Sequence, residues 1–203
     1  MTRIIAIAAP PGAGKSSLAR ALAQQLDNAA VIYFDHYQMA TEKPVDEIMD
    51  WMKSGADFND FDIPYLARDL GLLKQGDSIS DPISGESIEA TSHILFEMPF
   101  GREHSQSAAF IDYLLWIDVP LDVALARKVS EFTQDYIAAN EPDSCQQYIE
   151  WQAQYLNHYL GGIRQTLDIQ RLRISKDADM ILDGMLSVKN MAQQALEAIK
   201  GIG

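Results

Sequence analysis

The chain has 203 residues, 47% of them hydrophobic, enough for one sizeable core and a single domain spanning 1–203. The 16 basic residues against 29 acidic ones give a net charge of −13, which argues against broad nucleic-acid binding and against an anionic membrane surface. One cysteine, Cys145, leaves no internal disulfide to form, no apolar run approaches the ~20 residues of a membrane helix, and no signal-peptide pattern precedes the first strand. These features point to a cytoplasmic protein whose phosphate sites, if any, are local islands of positive charge.

The first predicted element is the apolar strand Ile4-Ile5-Ala6-Ile7-Ala8-Ala9. It empties into Pro10-Pro11-Gly12-Ala13-Gly14-Lys15-Ser16-Ser17, and a helical pattern with Leu18, Leu22 and Leu26 on one face follows. Strand, Gly-rich turn ending in Gly-Lys-Ser, and amphipathic helix make up a P-loop. Gly12 and Gly14 let the backbone amides turn inward, and the helix N-terminus adds its dipole, so residues Pro11 to Ser17 form an anion cradle. Pro10 and Pro11 stiffen the approach ahead of the donating amides. Lys15 supplies a point charge for the terminal phosphates of a nucleotide, and the Ser16 hydroxyl is the expected Mg²⁺ ligand. Ala9 stands where the usual first glycine of the motif would be, the smallest available replacement.

A second short strand, Ala30 to Phe34, ends at Asp35-His36-Tyr37. Pro44 to Lys53 reads as a helix with proline near its start. Asp62 is placed to cap another helix running to about Lys74, with Leu66, Leu70 and Leu73 inward and Gly76-Asp77 as its stop. Residues 78–90 alternate weakly around Pro82 and Ser84-Gly85, a hairpin-like excursion. His93 to Glu97 is a third core strand and Tyr113 to Asp118 a fourth. Pro120 opens a helix to about Phe132. Thr133 to Cys145 is polar and poorly periodic, which marks residues 128–146 as a candidate mobile lid. Tyr148, Trp151, Tyr155, Tyr159 and Ile163 recur at helical spacing, a core or dimer face. Met180 to Leu182 is a fifth strand, and Ser187 caps a last helix. Strands alternating with helices imply a parallel sheet covered on both faces, an α/β class.

In this order the elements resemble a P-loop kinase of the uridine kinase and phosphoribulokinase group. Besides the P-loop, the resemblance rests on Asp35-His36-Tyr37, the acidic stretch Asp57 to Asp62, the strand Ile94 to Glu97, and Trp116 to Pro120 followed by Ala124 to Lys128. Ala178 to Asp183 is similar to the group's closing strand. The resemblance implies a three-layer P-loop sandwich with a five-stranded parallel sheet in the order 2-3-1-4-5, and transfer of the ATP γ-phosphate to a hydroxyl of a small, nucleoside-like molecule. It further implies Asp35 as the general base, Glu97 as a Mg²⁺ ligand directly or through water, and His36, Tyr37 and Asp57 as candidate contacts to the acceptor. Asp35 could instead cap its turn, and Asp57 could be one of a solvated charge cluster.

The lid departs from the group's pattern. Arg-Arg-x-x-Arg-Asp is replaced here by Arg127-Lys128-Val129-Ser130-Glu131-Phe132, and Thr133 to Cys145 holds no Arg or Lys. A carboxylate near a transferring phosphate opposes catalysis. Arg127 remains as a nucleotide contact. Arg102, five residues beyond Glu97, either supplies the missing charge as a catalytic cation or forms a surface ion pair. The second candidate function is therefore a nucleotide-binding protein or lapsed kinase with little transfer. A kinase for an already anionic acceptor needs a cationic pocket in which this chain is poor, and there is no Asn-Lys-x-Asp guanine element.

Overall fold

The protein is described by a computed structural model covering residues 2–37, 47, 50, 51, 53–60, 63–139 and 144–201. Its main sheet joins β1 (Arg3–Ala8), β2 (Ala29–Tyr33), β5 (His93–Glu97), β6 (Tyr113–Asp118) and β7 (Met180–Asp183). All four pairings are parallel, and the spatial order is β2-β5-β1-β6-β7. Counted along the five core strands this is 2-3-1-4-5, as expected. A separate two-stranded hairpin pairs β3 (Ile79–Ser80) with β4 (Ser87–Ile88) antiparallel, inside the stretch read as an excursion.

Alternation along the strands builds two cores. Ile4, Ala6 and Ala8 of β1 join Ile94, Phe96, Leu114 and Trp116 on one face. Helix α2 (Pro64–Gln75), in contact with the short helix α3 (Ser105–Ala108), covers this face through Leu66, Leu70 and Leu73, and α6 (Arg164–Asp177) reaches it through Ile174. Ile5, Ile7 and Ala9 join Leu95, Leu115 and Ile117 on the other, under Leu18 and Leu22 of α1 (Lys15–Ala23) and Ala192, Ala195 and Ile199 of α7 (Val188–Gly201). With a period of two, every β1 side chain from Ile4 to Ala8 is fully or almost fully buried. That is why the strand reads as an unbroken apolar run.

Local signals bound α2 and α7 where the sequence places them. Gly76 stops α2 in a left-handed conformation (φ 97°), its N–H donating to Leu73 while that of Asp77 donates to Leu72. The Ser187 hydroxyl accepts from Asn190 N–H at 3.2 Å and caps α7. The expected cap Asp62 and most of the expected helix from Pro44 lie outside the described residues.

The helix that enters the expected lid departs from its predicted end. Helix α4 (Leu121–Ala139) does not stop at Phe132 but runs on through the polar stretch, and α5 (Ser144–His158) packs back along it. Tertiary contacts supply what periodicity lacks. Phe132 and Trp151 lie 4.1 Å apart between ring centroids, and Tyr136 stands 5.5 Å from Tyr148. The Thr133 hydroxyl lies 2.7 Å from the Val129 carbonyl oxygen and 2.6 Å from the Tyr148 hydroxyl. The aromatic stripe thus closes the helical hairpin. Among the described residues, no helix is long and apolar enough to cross a membrane.

Candidate active site

Parallel strands deliver their following loops to one edge, and in an open α/β sheet that edge carries the ligand site. Here the loop after β1, the turn after β2, the end of β5 and the middle of α4 surround a cleft of about 760 Å³. Each of the P-loop residues 11–17 lines it, as do Asp35, Glu97 and Arg127.

The loop conformation requires its glycines. Gly12 has φ 80°, and a Cβ built there would lie 2.1 Å from the Ala124 carbonyl oxygen of α4. Gly14 has φ 95° and hands the chain to α1, with nothing within 4 Å of a Cβ. No side chain caps α1, and its first turn holds no acid. The first-turn amides therefore face the cleft with the positive end of the helix dipole and no built-in anion.

Lys15 sits at the floor. Its side chain is 13% exposed, and Nζ lies 4.0 Å from Glu97 Oε1, beyond hydrogen-bond reach. Burial pushes the ammonium below its ordinary pKa, while the carboxylates of Glu97 and then Asp35 push back. A buried cation paired this loosely favours an incoming anion. Glu97 is 8% exposed, sits at the end of β5, and faces Ile7 of β1 and Tyr33 of β2 in register. Asp35 lies in the single-turn helix Phe34–His36, anchored by buried Phe34, whose ring meets that of Phe100 edge-on at 5.2 Å.

The residues present fit the groups expected. A glycine cradle, an uncapped helix start and a half-satisfied lysine suit a polyphosphate. The Ser16 hydroxyl and Glu97 carboxylate are hard oxygen donors, suited to Mg²⁺. Among the described residues, no group of three or more His, Cys, Asp or Glu side chains could hold a metal by itself. An ion held by one carboxylate, a hydroxyl and substrate phosphates needs no such group.

Other expected contacts lie elsewhere. Arg102 is not among the cleft residues. Its guanidinium donates to the Asp177 carbonyl oxygen at 2.9 Å and to Asp179 Oδ2 at 2.6 Å, clamping the loop after β5 to the entrance of β7. The ion-pair alternative describes its position. His36 Nδ1 lies 2.6 Å from Asp81 Oδ2, so it ties the Asp35 turn to the β3–β4 hairpin. The Tyr37 hydroxyl donates to buried Asp69 at 3.1 Å; burial and that carboxylate raise its pKa. Asp57 Oδ1 accepts from the backbone and side-chain nitrogens of Asn59, both at 3.0 Å, a local turn contact at the surface. Neither these three nor Arg102 enters the cleft wall.

The wall also holds residues that motif reasoning missed. Lys128, Glu131 and Phe132 of α4, Tyr155 of α5, Ile163, and Met98 after β5 all line it. Lys128 Nζ stands 3.0 Å from Glu131 Oε2 and 4.5 Å from the centre of the Phe132 ring. Arg127 lines the cleft and donates through Nη1 to the Gly184 carbonyl oxygen at 2.9 Å. The sequence signals for this wall were the run Arg127 to Phe132 of the lid pattern and the aromatic spacing through Tyr155, which alone does not tell a cleft from a core.

No protein-family model matches the chain. A curated shikimate kinase from Corynebacterium efficiens is 28% identical over 144 residues, which is 68% of this chain and 72% of that protein. A solved structure described as a possible uridine kinase from Bacillus stearothermophilus aligns with a TM-score of 0.52 at 15% identity, covering 90% of this chain and 89% of that one. The shikimate kinase from Acinetobacter baumannii, solved in complex with shikimate, aligns with a TM-score of 0.50 at 14% identity, covering 99% of this chain and 94% of that one. At such identities the structural likeness concerns architecture. With its phosphate loop on the central strand of a sheet ordered β2-β5-β1-β6-β7, the chain has the α/β fold of the P-loop kinases.

Proposed function

We propose that this chain is an ATP- and Mg²⁺-dependent phosphotransferase that moves the γ-phosphate to a hydroxyl of a small molecule. The observation that carries the proposal is the floor of the cleft. One buried lysine lies between a glycine cradle and the field of two carboxylates that end or follow neighbouring strands. Phosphoryl transfer needs this set: amides and an ammonium for phosphate charge, a carboxylate for the metal, and another for the acceptor proton.

In this reading the amides of residues 12–17 and Lys15 Nζ hold and orient the phosphates. Ser16 and Glu97 would hold the Mg²⁺ ion, which when bound neutralises phosphate charge. Asp35 accepts the acceptor's hydroxyl proton as that oxygen bonds to the γ-phosphorus. The bond from γ-phosphorus to the β–γ bridging oxygen breaks, and ADP leaves with the electron pair. Phe132 and Tyr155 line the cleft with apolar surface that restricts water, and Arg127 lines it as the nucleotide contact. The experiment is ADP release across a panel of alcohols, comparing the parent protein with Asp35→Asn. Loss of about 10²-fold or more in kcat is expected for a general base. Unchanged turnover with a genuine acceptor would remove Asp35 from that role.

A second reading, binding without transfer, is favoured by the lid. Glu131 stands where the resemblance calls for a basic residue, and its pairing with Lys128 leaves that ammonium partly neutralised. Tight Mg²⁺-ATP binding, with no transfer to any acceptor and none gained in Glu131→Arg, would decide for it.

A further inference from the structure

The two sides of the cleft differ in charge. Every cation that lines it (Lys15, Arg20, Arg127, Lys128) comes from the P-loop helix α1 or from α4, the elements placed around the phosphates. The rest of the wall comes from the turn after β2, the end of β5, which adjoins Lys15 at 4.0 Å through Glu97, and the α5–α6 side. It presents the carboxylates Asp35 and Glu97 beside the apolar side chains of Phe34, Met98, Tyr155 and Ile163. Among the described residues, no Arg or Lys belongs to that wall.

Three cations of the surrounding elements already have partners. Lys128 lies between the Glu131 carboxylate and the Phe132 ring face, so the cleft wall already holds an ammonium between an acid and an aromatic ring. Arg102 is held by Asp177 and Asp179, and Arg171 makes two 2.7 Å hydrogen bonds to Asp118. Tyr155 is stacked on Trp151 at 5.0 Å and 19°, which gives the wall a flat, supported apolar surface.

From this distribution, and resting on the phosphotransferase reading above, we propose that the acceptor is an alcohol with no anionic group: a neutral or cationic molecule with a ring-shaped or apolar body. To present its hydroxyl to Asp35, an acceptor must lie along the carboxylate wall. A carboxylate or phosphate on it, about 6 Å from the Asp35 carboxylate at an effective dielectric constant of about 20, would lose about a hundredfold in binding. Salt and the Lys15 ammonium, 4.0 Å from Glu97, trim that figure, so at least tenfold is expected. A flat neutral ring gains contact with Tyr155 instead, and a cation gains the field of Asp35, Glu97 and Glu131.

The test uses the whole protein. Binding of Mg²⁺ and a non-hydrolysable ATP analogue is measured first, by calorimetry. Nucleosides and amino alcohols are then compared with hydroxy acids, shikimate among them, and with sugar phosphates, by ADP release with ATP and by thermal shift of the analogue-loaded protein. The best neutral or cationic acceptor should exceed the best anionic one at least tenfold in kcat/KM. Ile163→Lys, and independently Tyr155→Lys, should narrow that ratio at least tenfold by adding a cation to the wall. A best acceptor that is anionic overturns the proposal. So does analogue-loaded protein that neither turns over nor is stabilised by any member of the panel. Failure to bind the analogue at all removes the phosphotransferase reading itself, and this inference with it, before any acceptor is added.

Discussion

Replacing Gly12 and Gly14 one at a time by alanine separates two effects that a sequence motif treats alike. Both glycines are left-handed, at φ 80° and 95°. An alanine in that region costs about 1–2 kcal/mol in either place. At Gly14 the strain is the whole effect, because nothing lies within 4 Å of the new methyl. At Gly12 the methyl would lie 2.1 Å from the Ala124 carbonyl oxygen and 3.2 Å from the Lys128 nitrogen, both backbone atoms of α4. The helix must back away, which adds about 1–3 kcal/mol. For a chain of this size 1 kcal/mol moves the melting temperature by about 2–4 °C. Gly14→Ala should therefore melt about 2–8 °C below the parent, and Gly12→Ala clearly lower still. Moving α4 also displaces Arg127 and Lys128, so Gly12→Ala should lose more affinity for a fluorescent ATP analogue. Equal melting temperatures and equal affinities in the two variants would refute the contact between the loop and α4.

Three further outcomes follow from individual groups. Lys15→Met should raise the melting temperature of the ligand-free protein while abolishing its stabilisation by Mg²⁺-ATP. Because burial lowers the folded-state pKa of Lys15 from the ordinary 10.5, the penalty for burying its charge fades as pH rises through that window, and the two melting temperatures should converge there. Asp81→Asn tests the hairpin tie: burial alone would raise the Asp81 pKa, but hydrogen bonds from Ser84, His36 and Ile83 hold it at about 2. Relative to an ordinary carboxyl this contributes about 2 kcal/mol above pH 4, which disappears as pH falls toward 2, so urea unfolding should show the variant weaker at pH 7 and equal near pH 2. Arg102→Ala should cost about 1–3 kcal/mol in urea unfolding by freeing Asp179, whose carboxylate also accepts from Leu114 N–H at 2.7 Å, and should leave Mg²⁺-ATP affinity within twofold of the parent; a large loss of affinity would return Arg102 to the phosphates.

The family resemblance implied the strand order; the sequence by itself determined the glycine-rich loop and the five core strands. Each of these is local. A period-two burial pattern, a glycine pair ahead of Lys15 and the caps at Gly76 and Ser187 act within a few residues of chain. Asp35 and Glu97 were legible because they follow or end strands whose placement the topology dictates. Only the tertiary structure decided what α4, α5 and the expected acceptor contacts do. The polar stretch after Phe132 becomes helix because Trp151 and Tyr148, residues beyond the end of α4, pack on it. Arg102, His36 and Tyr37 each find a partner between 32 and 77 positions away, and which of several acids a basic or hydroxyl group meets is a property of packing rather than of spacing. The charge of the cleft wall arises in the same way, from side chains that only the folded sheet edge brings together.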